Sequence, residues 1–159
     1  MFNKKFGILY ISFLIILDLL TKHLINIYLP VNSKLQIIPG FFALFNVHNT
    51  GAAFSILEGF VGLLTIVSLV VGIYLIYYFI KNDLNKLSYI SLILMISGTL
   101  GNFYDRLLLG YVRDFLSFNI FGYPFAVFNL ADSFLVVGVI ILGFDLFLKE
   151  YKNEKNSSK

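Results

Sequence analysis

The sequence predicts an all-α membrane protein with four transmembrane helices and a small extracytoplasmic β-rich platform, built as a single integral membrane domain over residues 1–159. Three observations predict it. Of the 159 residues, 58% are apolar and only 13% are charged. Ordinary soluble domains carry roughly a quarter charged residues, so this chain has too few polar groups to cover a globular surface. Four stretches, at about 6–24, 60–80, 87–104 and 128–148, reach or approach the roughly 20 apolar residues that a crossing needs. The basic residues are also unevenly shared. Lys4, Lys5, Lys81, Lys86, Lys149, Lys152, Lys155 and Lys159 fall on one side of those spans, and Lys22, Lys34, Arg106 and Arg113 on the other. The positive-inside bias therefore puts both termini in the cytoplasm and the connections 25–59 and 105–127 outside.

The first stretch opens after Lys4 and Lys5, as a signal peptide would. It carries Asp18, however, and no small-residue cleavage pattern follows, so it reads as a retained helix. Pro30, Pro39 and Gly40 punctuate the next connection, and Leu35, Ile37, Ile38 and the run 41–47 suit strands. Unpaired strand backbone cannot lie in hydrocarbon, so these residues are expected to form a small sheet at the outer surface. The polar turn 81–86 makes the second and third spans an antiparallel hairpin. The tail 149–159 is polar and reads as loose.

Charges in or beside spans are costly and mark either pairs or function. Asp18 and Lys22 stand one helical turn apart and can pair, and Thr21 beside them can bond a neighbouring helix. Asp145 reads as a boundary charge. In the segment Asn49-Thr50-Gly51-Ala52-Ala53-Phe54, Asn49 either closes a packing turn at a helix start or fixes an extended substrate backbone through its carboxamide. Gly98 and Gly101 suit close helix contact. They precede Asn102, Asp105 and Arg106, where Arg106 is expected to hold Asp105 as a structural anchor with a lowered pKa.

Asp114, in Tyr111-Val112-Arg113-Asp114-Phe115, reads singly as a loop charge. Asp132, which follows Asn129, reads singly as a carboxylate favoured by a helix N-terminus. Both fall near the same membrane boundary, and a folded-back connection can bring them together. Close carboxylates share one proton, so one can accept from water while the other donates to an amide. Other chemistries fit less well. There is no cysteine for thiolate work, and His23 and His48 are the only histidines, with no H-E-x-x-H to make a zinc peptidase. A Ser55–His48 pair has no evident third group. No metal or cofactor is expected, and neither a phosphate loop nor a nucleic-acid surface is visible.

Taken together, Asp18-x-x-Thr21-Lys22, Asn49-Thr50-Gly51-Ala52-Ala53-Phe54, Gly101-Asn102-x-x-Asp105-Arg106 with Val112-x-Asp114-Phe115, and Phe128-Asn129-x-Ala131-Asp132-Ser133 resemble the motif set of the bacterial lipoprotein signal peptidases, the type II signal peptidases. Each motif is weak alone, but their order and placement around four spans are specific. The resemblance implies a membrane aspartic endopeptidase of the bacterial cytoplasmic membrane. It would act as a monomer among membrane lipid on prolipoproteins, cleaving before the diacylglyceryl-modified cysteine. Asp114 and Asp132 take the dyad positions, and Asp18, Lys22, Asn49, Gly51, Asn102, Asp105, Arg106 and Asn129 the supporting ones. The chain departs from the family pattern at Leu19, usually Gln, and at Arg113, often Val, which is expected to lower the pKa of the pair. The platform is expected to cap an apolar, lipid-open cleft as a movable lid. The competing reading is a non-enzymatic four-helix transporter or assembly factor.

Overall fold

The computed structural model describes residues 3–52 and 56–157. Four long helices form: α1 (Lys4–Tyr28), α2 (Val61–Lys81), α3 (Lys86–Leu109) and α4 (Leu130–Ser157). Each is long and apolar enough to cross a membrane. Local signals set their ends. Asn3 caps α1 by accepting from the Lys5 backbone N–H, and Asn85 caps α3 by accepting from Ser88. Gly110, at φ 77°, stops α3 in the left-handed conformation that glycine tolerates best.

Helix α3 is the hub. In its most apolar stretch 61% of residues are buried, against 11–17% in the other three helices, which surround it and turn apolar faces such as Ile66, Val70, Ile140 and Phe147 outward. That outward face suits lipid as solvent. Gly98 and Gly101 do what small residues in spans do. A Cβ on Gly98 would strike the Ala131 carbonyl of α4, and one on Gly101 would sit 2.6 Å from the Asp18 carboxylate of α1. At the opposite end Ile11, Leu75, Phe79, Tyr89, Leu92, Ile93 and Ile96 pack together and join α1, α2 and α3.

A four-stranded antiparallel sheet runs β1 (Lys34–Ile38), β2 (Phe42–Asn49), β3 (Val112–Ile120), β4 (Tyr123–Pro124). The expected strands of the first connection are present, but the second connection supplies the other half. A lone hairpin is marginal in water, and pairing Val112–Asn49 through Phe118–Phe42 gives it a third strand. A register shift in β2 between Leu44 and Val47 turns Asn46 inward. There it is fully buried and donates to the Leu29 carbonyl at 2.8 Å, pinning the sheet to the end of α1.

Two further expectations change. The described part of the tail, 149–157, is not loose: α4 continues to Ser157, because Lys and Glu favour helix and Lys149 pairs with Asp145 one turn back at 2.7 Å. Asp145 is not a plain boundary charge either. It is 2% exposed and accepts from Asn85 and Ser88 as well, tying the start of α3 to α4.

Candidate active site

Alternation along β3 decides where Asp114 points. It is 2% exposed, its neighbour Arg113 faces the other way, and its register partner on β2 is Val47. The Asn49 carboxamide donates to one Asp114 oxygen at 2.8 Å and that of Asn129 to the other at 2.7 Å. Asn49 in turn accepts from the Gly51 backbone N–H at 2.8 Å, which closes the turn after β2 and fixes the amide. The turn read for Asn49 is present, while its carboxamide N–H is given to the Asp114 carboxylate and not to an extended backbone.

Asn129 and Asp132 form a reciprocal cap on α4. The Asp132 N–H donates to the Asn129 side chain at 2.9 Å, and the Asn129 N–H donates to the Asp132 carboxylate at 3.1 Å. The other Asp132 oxygen accepts from Asn102 at 2.7 Å. Asn129 thus touches both aspartates, through its side chain and its backbone. Its amide also donates to Asn102, whose oxygen accepts from Lys22 as well. Lys22 is fully buried, 2.7 Å from Asp18 and 3.6 Å from Asp105. Asp18 completes the frame by accepting from the Ala131 N–H at 2.9 Å, so one end of α4 is held by α1, α3 and β3 together.

Burial first, and the charge of Asp132 second, push the Asp114 pKa up to about 7, against the lowering effect of its two amide donors. The expected lowering by Arg113 does not occur, because that guanidinium is committed to Asp105 at 2.6 Å on the far side of the strand. The predicted Asp105–Arg106 pair is absent for a related reason. Consecutive helix residues diverge, so Asp105 turns to Arg113 and Lys22. Arg106 reaches the Gly51 carbonyl at 3.3 Å and Ser68 of α2 at 3.5 Å. Asp105 remains an anchor with a different partner. Thr21 bonds its own helix at Leu17 and Asp18, not a neighbour.

Asp114, Asp132, Asn49 and Arg106 line a cavity of about 440 Å³, walled largely by Phe125, Phe128, Leu135, Val136 and Val137. The site is a polar network behind an apolar cleft, with two adjacent acids and one amide between them. Such a pair can hold a single proton and move it between a water and an amide. His48 stacks on Tyr111 at 3.8 Å, with its pKa held down by partial burial and by Arg113. Ser55, with Ala53 and Phe54 of the second motif, lies outside the described residues. The sequence reading overlooked Ser68, whose only signal was a hydroxyl in an apolar span. It also overlooked Asn85 and Ser88, which a helix-start pattern marks.

The family model for signal peptidase (SPase) II matches residues 10–148. The lipoprotein signal peptidase of Staphylococcus aureus is 39% identical over 159 residues, covering 97% of both chains. That of strain JH9 is 40% identical over 158 residues, covering 96% of both. Two bacterial membrane enzymes solved by the in meso method share the fold. One has a TM-score of 0.86 at 39% identity, with 94% of this chain and 91% of that chain covered. The other has a TM-score of 0.80 at 38% identity, with 89% and 92% covered.

Proposed function

The chain belongs to the signal peptidase II family, and from that premise we infer that Asp114 and Asp132 are the acids with which it cuts. It is a multi-pass bacterial membrane peptidase that removes signal peptides from prolipoproteins. The observation that carries the residue assignment is Asn129, which donates to Asp114 through its amide and to Asp132 through its backbone.

Asp114, with its pKa near 7, holds the shared proton. Asp132, fed by two N–H donors at a helix N-terminus, carries the charge. A water between them loses a proton to Asp132 and attacks the scissile carbonyl carbon while Asp114 protonates the carbonyl oxygen. As the resulting diol collapses, the C–N bond breaks. Asp132 passes its proton to the leaving nitrogen, and Asp114 takes one back from a diol hydroxyl. The pair ends as it began. Arg106, Asn49 and Asn102 hold the geometry, and Lys22 and Arg113 balance the charges of Asp18 and Asp105 behind it.

The apolar cleft suits a substrate that brings an apolar signal helix and acyl chains, with the cut falling just before the diacylglyceryl-modified cysteine. Chain order puts the sheet and both acids at one end of the helices, and the segments bearing most of the lysines at the other. This supports an extracytoplasmic site and cytoplasmic termini. Because β3 itself supplies Asp114, the sheet is a wall of the site more than a lid over it. The transporter reading is disfavoured, since the acids lie on a strand and a helix start, not at mid-span.

Reconstituted protein with Asp132→Asn, checked for insertion, is expected to leave a diacylglyceryl-modified precursor intact, where the parent releases a fragment beginning at the lipidated cysteine by mass. Normal cleavage by the variant would refute the pair.

A further inference from the structure

The segment between β4 and α4 departs from the ladder beside the site. The Phe125 N–H donates to the Phe118 carbonyl, and Phe128 exchanges bonds with Leu116. Three steps along one strand therefore oppose two along the other. The surplus makes a bulge at Ala126 and Val127, opposite Ser117. Among the described residues no hydrogen bond occupies the backbone groups of either, although both are only partly exposed. Bonded neighbours hold the segment extended on both sides, so these groups are fixed and unspent.

The same two residues line two cavities. One is the apolar cleft, ending on Leu135 and Val136. The other, about 470 Å³, is lined by His48, Thr50 and Glu58. Asp114 and Asn49 border both, so a chain crossing Asp114 passes from an apolar chamber to a polar one along the Ala126–Val127 edge.

We propose that this bulged segment is the substrate's docking edge. The prolipoprotein backbone adds to it as an extended strand through the backbone groups that the bulge leaves free on the cleft side. Its apolar signal-peptide side lies toward Leu135, and the residues after the cut lie in the chamber of His48, Thr50 and Glu58. Main-chain pairing of this kind grips a substrate without regard to side chain and leaves specificity to the chambers on either side. The inference rests on the peptidase assignment and adds to it where and in what conformation the substrate lies.

The test uses intact, reconstituted protein and synthetic diacylglyceryl-peptide substrates. One backbone amide at a time, apart from the scissile one, is replaced by an ester over the four residues on each side of the cut. An ester removes the N–H donor and weakens the carbonyl acceptor without changing side chains. The expected result is a drop in kcat/KM, on the order of tenfold for a lost hydrogen bond, at alternate positions on at least one side, because strand groups alternate in direction. A flat profile, within about twofold everywhere on a parent substrate that is cleaved, overturns the docking edge and leaves the peptidase assignment standing. A parent substrate that is not cleaved overturns both.

Discussion

Asp105 accepts from the backbone and guanidinium of Arg113 and stands 3.6 Å from Lys22, so two cations hold its charge. Asp114 accepts only from neutral amides, with Asp132 the nearest opposing influence. The motif resemblance assigns Asp114 to the pair and Asp105 to its support, although each adjoins an arginine. Strand alternation gives that assignment a physical reason, by turning Arg113 away from Asp114 and toward Asp105. The arginine expected to acidify the pair therefore does not reach it. A pH profile follows. Asp114 must carry a proton to act as acid, and its native pKa near 7 lies above the unfolded value, so the proton is lost as pH rises through about 7. Turnover is expected to fall on that alkaline limb, with an apparent pKa belonging to the pair. Stability follows the same sign: a carboxyl that binds its proton more tightly when folded loses its contribution as pH climbs from about 4 toward 7. Turnover that stayed level from pH 6 to 9 would contradict the proton assignment.

The four spans were legible from apolar run length, and the glycines on α3 from their size alone. The half of the sheet contributed by β3 was not, because its buried set, Val112, Asp114, Phe115 and Ser117, mixes apolar with polar residues and gives no clean period of two. The α4 extension was also missed, because polar composition was taken for looseness where Lys and Glu in fact favour helix. At the level of elements the site depends on how closely α1, α3 and α4 approach. Gly101→Ala would push a methyl against the Asp18 carboxylate that holds the Ala131 N–H. Overpacking of this sort costs about 1–3 kcal/mol, read as a lower unfolding midpoint in detergent. Removing the α4 cap with Asn129→Ala is expected to cost about 1 kcal/mol of stability. It should also lower kcat far more than it raises KM, since the same amide holds Asp114.

For the whole molecule, burial is concentrated in α3 and around the polar network at the sheet end, while the outer helix faces stay apolar. Placing the ionic network between the helix ends and the sheet lets a peptidase work at a boundary without exposing its charges to hydrocarbon. Because the chain has no cysteine, its orientation can be read with single introduced thiols. Val31→Cys, between α1 and β1, is expected to react with a membrane-impermeant maleimide added outside intact cells. Lys152→Cys, on the exposed end of α4, should react only after permeabilisation. The opposite pattern would invert the topology.

The division of labour between Asp114 and Asp105 is tested most directly by measuring cleavage of a lipidated precursor and thermal stability side by side for Asp114→Asn and Asp105→Asn. Asp114→Asn is expected to fold and insert but not to cleave. Asp105→Asn is expected to lose about 3 kcal/mol of stability, as when one member of a buried ionic cluster is removed, and to keep measurable turnover while folded. A stable, inactive Asp105 variant beside an active Asp114 variant would contradict that division.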